Sequence, residues 1–388
     1  MKVLRFIYYL LMPVFLFAGL YTGMRVFFIV LIAQILLVLA IFGLNQWTIH
    51  TFSYTQTLDA LEAVKGSETA LHLSILNEKP FPLSMMQIDV ELAAPSENRQ
   101  ISFSLLPFAG KDFDFRVSVP YRGVYPIGIT TMRITDVFGL LPMRFDMRKL
   151  PYYRQPRLTV YPRAEDLASL YADVADEKLF GERFQHNAES GSSITGARAY
   201  RPGDPLKQIH WKKSAAHGEL FVKQYEQPIH ENLTLLIDNC THGASGEDAL
   251  ARADTVCEAA ACITLHCLSQ NRSAVLRAMC DTRSVDSEEE ALSVSDFEKI
   301  RHWLAQLPFG EDPAKGPLPA GSADGRNALI LVTDCFTPEL ESALTGAASD
   351  FSAVTLVLVG DESRNTGLIH TIRLPLGCDV AAELVSLE

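Results

Sequence analysis

Two apolar runs near the N-terminus limit what this chain can fold into. Residues 6–22 are apolar apart from Thr22 and include Pro13. Residues 26–44, VFFIVLIAQILLVLAIFGL, carry Gln34 as their only strongly polar side chain. About 20 apolar residues in a row span a bilayer core as a helix. Only Gly23, Met24 and Arg25 separate the runs, so residues 1–48 read as a two-helix membrane hairpin. A secretory signal peptide also sets an apolar run behind basic residues such as Lys2 and Arg5, but here the second run follows too closely. Lys2, Arg5 and the terminal amine outweigh Arg25, which favours a cytoplasmic N-terminus. Two crossings then return the rest of the chain to the cytoplasm. The expectation is a multi-pass cell-membrane protein with its hairpin in lipid and cytoplasmic soluble domains.

The 388 residues, 48% of them hydrophobic, suffice for two or three domains. Between 50 and 163, short β-like runs recur at Ala70–Leu76, Met86–Ala93, Gln100–Leu105, Phe113–Val119, Ile127–Ile134 and Arg157–Val160. Pro, Gly, Asn and Ser separate them, the pattern of an all-β sandwich. That stretch shows no cluster of acid, base and nucleophile. Residues 164–195 are polar, with Ser190-Gly191-Ser192-Ser193 near their end, and read as a linker with one helix near 165–184. From 231 to 388, strands alternate with helices. Leu233–Ile237, Ala328–Thr333 and Val354–Val359 are continuous apolar strands, the mark of a parallel sheet covered on both faces. Ile372–Leu374 reads as a short edge strand. This last domain is therefore α/β of Rossmann type.

Residues 196–230 join the two halves. Pro202-Gly203 favours a tight turn. Asp204 and Pro205 then suit an N-cap and a first helical position. Leu206, Ile209, Lys213 and Ala216 share a helical face, Gly218 can close the helix in a left-handed cap, and Leu220–Tyr225 alternates like a strand. The expected unit is strand–turn–helix–strand, with Trp211 packed against a neighbouring domain. The chain's net charge is −12, and it is uneven. Residues 231–388 are strongly acidic, which argues against nucleic-acid binding. The 196–230 unit is basic, and Lys207, Lys212 and Lys213 are its candidate partner-facing residues.

The run Arg198-x-Tyr200-Arg201-Pro202-Gly203-Asp204, then Ile209-x-Trp211-Lys212 and Gly218-Glu219-Leu220, resembles the signature of the domain-of-unknown-function-58 family. Tyr121–Gly128 and Asp136–Leu140 are similar to that family's stretches in the β domain. The resemblance implies a mostly prokaryotic, membrane-anchored protein. It implies a β-rich domain, this signature and a C-terminal von Willebrand A-like domain. It also implies partnership with a MoxR-type AAA+ ATPase, often beside transglutaminase-like proteins.

Asp238 and Asp334 each follow a buried strand, where an open parallel sheet forms its ligand crevice. Two carboxylates there could hold Mg²⁺, which prefers oxygen ligands. The resemblance implies such a metal-ion-dependent adhesion site, with Asp-x-Ser-x-Ser on the first loop. This chain reads Asp238-Asn239-Cys240-Thr241-His242, and thiol and imidazole are poor ligands for a hard ion. The expected site is therefore degenerate, with weak Mg²⁺ binding at most and no other cofactor. Otherwise both carboxylates cap the loops that follow them.

All seven cysteines lie in the last domain, at 240, 257, 262, 267, 280, 335 and 378. Their odd number and apolar settings suggest unpaired thiols in a reducing compartment. Cys257, Cys262 and Cys267 point about 140° apart in turn along a helix, which excludes a shared metal. Pro202, Pro205 and Asp204 make Gly203 a poor phosphate site, and no Gly-x4-Gly-Lys-Ser/Thr run is present. Two functions compete. One is a non-enzymatic adaptor that presents the von Willebrand A-like domain to an ATPase or its client during protein assembly or maturation. The other is a thiol- or metal-dependent hydrolase using Cys240, His242 and Asp238.

Overall fold

The structure, a computed structural model, describes residues 2–93, 97–136, 138–167, 174–176, 178–180, 194–200, 209–225, 232–280, 287–310, 327–360 and 369–385. It divides into two compact units, Met1–Val160 and Tyr161–Glu388.

The first unit opens with α1 (Lys2–Thr22) and α2 (Arg25–His50). Both are long and apolar enough to cross a membrane by length and composition. They pack as a hairpin. Tyr8 Oη donates to the Gln34 carbonyl at 2.9 Å, and the Phe15 and Phe27 rings stack at 6.4 Å. Gly19 permits the close approach, because a Cβ there would meet the Phe28 ring at 3.1 Å. Gly23, at φ 67, ends α1 and donates its N–H to the Gly19 carbonyl at 2.9 Å.

Ten strands follow. They are β1 (Ser53–Leu58), β2 (Glu62–Val64), β3 (Glu68–Leu76), β4 (Leu83–Glu91), β5 (Arg99–Leu105), β6 (Gly110–Ser118), β7 (Gly123–Pro126), β8 (Gly128–Thr135), β9 (Met143–Asp146) and β10 (Arg157–Tyr161). They form sheets in the orders β1-β3-β6, β5-β4-β8-β9 and β2-β10-β7. The first two are antiparallel throughout. Alternation puts Leu71, Leu73 and Ile75 of β3 on the inner face, as strand geometry requires. They share one core with Met86, Ile88 and Val90 of β4 and Ile129, Met132 and Ile134 of β8.

In the second unit β11 (Ile194–Ala199) pairs antiparallel with β12 (Phe221–Tyr225), and α3 (Trp211–His217) lies between them in sequence. The α/β part contains β13 (Leu233–Ile237), α4 (Gly246–Ser269), β14 (Ala274–Ala278), β15 (Glu288–Ala291), α5 (Phe297–Gln306), β16 (Ala328–Thr333), α6 (Pro338–Ala347), β17 (Ala353–Val359), β18 (His370–Leu374) and α7 (Val380–Val385). The sheet order is β15-β14-β13-β16-β17-β18. All neighbours are parallel except β15, which runs antiparallel along one edge. Successive residues of each central strand face opposite cores. Leu235, Ile237, Ile330 and Val332 join α4, α5 and α7. Leu236, Leu329, Leu331 and Leu356 join Leu340 and Leu344 of α6.

Two expectations change here. The stretch read as a linker, 164–195, contributes Leu167, Ala175, Leu179 and Phe180 to the main α/β core. Asp176 anchors it polarly, accepting from Arg272 at 3.0 and 2.9 Å and lying 2.8 Å from His266 Nε2. The edge strand β15 was not expected, because Glu288-Glu289-Glu290 carries no apolar signal. Charge along an edge suits its place, since it discourages pairing with another chain.

Candidate functional site

In the sheet order, the chain leaves β13 toward β14 on one side and returns to β16 on the other. This is a topological switch point, and the crevice beyond the carboxyl ends of the two strands is where such sheets bind ligands. Asp238 follows β13 and Asp334 follows β16, and both are buried. The structure brings together the residues singled out there. His242 Nε2 lies 3.0 Å from Asp238 Oδ2 and 3.6 Å from Asp334 Oδ1. His242 reaches this position from a left-handed backbone, φ 45, directly before Gly243 at φ 82. Such a conformation is uncommon for a residue with a Cβ and is held by its surroundings.

Several supporting residues carried no signal in the sequence reading. The Thr333 hydroxyl is 2.9 Å from both Asp238 Oδ2 and the Cys335 carbonyl, and it accepts the Cys335 N–H at 3.1 Å. Its position one residue before Asp334, at the end of a buried strand, was the available clue. Asn239 braces three loops. It accepts the Cys280 N–H at 2.8 Å and donates to the Pro308 carbonyl at 3.1 Å. Gly310 receives the Thr241 N–H at 2.9 Å and donates to the Asn239 carbonyl at 3.1 Å. Arg252 on α4 places Nη1 3.9 Å from Asp334 Oδ2 while Nε holds Asp248 at 3.0 Å.

The electrostatics concentrate on Asp334. Burial pushes its carboxyl above the usual range; His242 and Arg252 offset this in part, and the nearby Asp238 charge adds to it. Its Oδ1 is buried without a hydrogen bond. A polar atom held out of water in this way costs stability, and such groups concentrate at functional sites.

Two expectations about the cysteines are overturned. Cys240 and Cys280 form a disulfide, S–S 2.03 Å and Cα–Cα 6.6 Å. They sit just beyond the ends of the adjacent strands β13 and β14, and that similar offset brings their side chains together. Cys240 therefore offers no thiolate, and the Cys240/His242 nucleophile pair loses its nucleophile. Cys257, Cys262 and Cys267 are free and buried, and burial pushes the last two thiols up to about 12.

The residues also fit Mg²⁺ poorly. Asp238, Cys240 and Cys280 are close enough to hold an ion, but the two sulfurs are bonded to each other. The imidazole nitrogen of His242 stands beside both carboxylates where the adhesion-site motif would supply hydroxyl oxygen.

The signature departs from expectation at two described residues, Ile209 and Trp211. Arg201, Pro202, Gly203, Asp204 and Lys207, with Pro205 and Leu206, lie outside the described residues, and so does the expected cap at Asp204. The described helix opens later, at Trp211, where His210 Nδ1 accepts the Lys213 N–H at 3.3 Å. Ile209 is not on that helix. It is buried in an antiparallel bridge to Val222. Trp211 is 65% exposed rather than packed, because the first turn of α3 points it outward while Ile209, Ser214 and Val222 turn in. Gly218 closes α3 at φ 72 with its N–H on the Ser214 carbonyl at 2.9 Å. Arg198 stands opposite Val222 in the β11–β12 ladder, and the Tyr200 N–H reaches the Leu220 carbonyl at 2.8 Å. Lys212 is exposed, and Lys213 places Nζ 5.2 Å from the centre of the Phe221 ring.

Residues 196–366 match the family described as "Protein of unknown function DUF58". An "Uncharacterized protein YeaD" from Bacillus subtilis (strain 168) is 23% identical over 293 residues, covering 71% of this chain and 66% of that protein. The chain thus spans just under two thirds of that relative's length. Among solved structures, Cwp6 from Clostridium difficile aligns at TM-score 0.20 and 11% identity, over 79% of this chain and 37% of its own. A GH20 exo β-N-acetylglucosaminidase from Vibrio harveyi aligns at TM-score 0.19 and 8% identity, over 81% and 68%. Likenesses this low carry no argument about fold or activity. The signature residues and the family match agree, and over residues 196–366 this chain is similar to the DUF58 family.

Proposed function

We propose that the chain is a membrane-anchored adaptor whose α/β domain, von Willebrand A-like in kind, docks a cytoplasmic MoxR-type AAA+ ATPase or that ATPase's client. Support for the domain type comes from the strand order, its antiparallel edge strand, and an Asp on the loop after the first strand. Support for binding without a full metal site comes from one observation. His242 stands within 3.0 and 3.6 Å of the two carboxylates at the switch point, so their charge is met by a side chain of the chain itself. Partner recognition then rests on the crevice rim and on the basic signature, with Lys212 and Lys213 in reach of an acidic surface. The two apolar helices hold the domain at the membrane.

The test is co-purification of the MoxR-type ATPase with detergent-solubilised chain, with and without EDTA. The expected result is a complex that persists in EDTA and weakens in K212A/K213A. Absence of the ATPase from the eluate, or a complex lost in EDTA, sinks the proposal.

A further inference from the structure

We propose that the β-rich unit rests on the bilayer that α2 crosses, with an aromatic rim at the base of α2 binding phospholipid at the boundary of headgroup and acyl chain. This rests on reading α1 and α2 as membrane-spanning.

Helix α2 runs past the apolar 26–44 stretch to His50. Its last turns supply Ile41, Leu44, Asn45 and Thr48 to one wall of an apolar groove; the other wall comes from Phe81–Leu83, Ile134–Asp136 and Phe138. Three connections of the β-rich unit meet here. The first holds Phe81, whose ring is 5.5 Å from that of Trp47, itself 51% exposed. The second is the turn after β5, with Leu106 72% and Phe108 69% exposed. Asn77 ties it to the first by donating to the Phe81 and Leu106 carbonyls at 3.0 and 2.9 Å. The third carries Phe138, 52% exposed. It is fixed to the hairpin where Tyr9 Oη donates to the Leu140 carbonyl at 3.3 Å and Asn45 Nδ2 to the Leu141 carbonyl at 3.1 Å. Lys79, buried at 4% exposure, ties the first connection to the chain just past the end of α2 by donating Nζ to the Thr51 carbonyl at 3.1 Å.

Large apolar side chains gathered on one surface mark an interaction site. The occupant follows from continuity. The helix that lines the groove also enters the membrane, so what meets the rim from that side is lipid. Aromatic rings grouped at a membrane boundary match the chemistry of that boundary.

The test uses the full chain in vesicles of phosphatidylethanolamine and phosphatidylglycerol that include a tagged phospholipid. A photoreactive p-benzoylphenylalanine is placed in turn at Phe138, Phe108, Ile35 and Leu61. Ile35 lies in mid-α2, and Leu61 lies beyond the far end of β1, which leads about 20 Å away from α2. The proposal expects lipid adducts at Phe138 and Phe108 comparable to those at Ile35, and background at Leu61. Adducts at Ile35 alone overturn the proposal and leave the membrane-spanning reading standing. No adduct even at Ile35 overturns both. Equal adducts at Leu61, or protein adducts in place of lipid at Phe138 and Phe108, also overturn it.

Discussion

In the adhesion-site motif that the family resemblance implies, His242 and Cys240 stand at the two positions where hydroxyls would join Asp238 and Asp334 around Mg²⁺. The imidazole lies against both carboxylates, and the Cys240 sulfur is committed to Cys280. If these two side chains are what exclude the ion, restoring hydroxyls should readmit it. C240S/H242S should bind Mg²⁺ in calorimetry at about 1 mM or tighter, equivalent to about 4 kcal/mol, where the parent shows no site. C240S alone is the control for loss of the disulfide. Asn239 still holds the loop in both variants through the Cys280 N–H. A parent that binds Mg²⁺ as well as the double variant would show that His242 moves aside and that the site is not degenerate. The signature gives a second test at this scale. Trp211→Ala should change stability by no more than about 0.5 kcal/mol, as an exposed substitution does. Ile209→Ala should cost roughly 2–5 kcal/mol, as loss of a buried aliphatic side chain does. Urea melts of the two variants decide it, and the reverse order would mean Trp211 is buried against a partner surface.

Elements were legible where burial is continuous. The runs Leu233–Ile237, Ala328–Thr333 and Val354–Val359 each gave a strand, since a parallel strand covered on both faces has no polar alternation to confuse it. The carboxylates at their ends could be placed for the same reason. Elements whose signal is tertiary were not legible. The strand β15 is three glutamates and an alanine, and only its pairing with β14 reveals it. Ile209 reads as sharing a helical face with Lys213 and Ala216, yet it is claimed by its bridge to Val222, and the described helix opens at Trp211. In the described part of 164–195, Leu167, Ala175, Leu179 and Phe180 enter the core while Asp176 supplies a polar anchor to His266 and Arg272. Burial raises the Asp176 carboxyl, but the hydrogen bond with His266 and the Arg272 charge outweigh this and hold it below the usual range. A carboxyl lowered in the folded state contributes stability that is present above its unfolded value and lost as pH falls toward the folded one. Asp176→Asn should therefore lower the melting temperature by an amount that is constant from about pH 7 to 5 and shrinks below about pH 4, near the unfolded carboxyl value. The loss should be on the order of 2–3 kcal/mol, less than for a fully buried pair. A gap that stays constant down to acid pH would place the role of Asp176 outside its charge.

At the scale of the whole molecule the membrane-anchored reading assigns the two units to one side, and here two physical signals oppose each other. The basic residues before α1 favour a cytoplasmic N-terminus, hence cytoplasmic units after two crossings. The Cys240–Cys280 disulfide favours an oxidising compartment, because cytosolic thiols are normally kept reduced. Both cysteines are buried, which shields the bond from soluble reductants, so the adaptor reading keeps the cytoplasmic side. The five free cysteines make this measurable, because they differ in access. Cys335 and Cys378 are partly exposed, whereas Cys257, Cys262 and Cys267 are buried. A membrane-impermeant maleimide should label none of them in intact cells. After the membrane is opened, Cys335 and Cys378 should react in the folded protein. The three buried thiols should react only on denaturation, and Cys240 and Cys280 only after a reductant is added as well. Labelling of Cys335 or Cys378 in intact cells would reverse the topology, and the disulfide would then be the ordinary bond of an extracytoplasmic domain. A full set of thiols in denatured, unreduced protein would instead show that the pair is open in the cell, as a reducing cytoplasm favours.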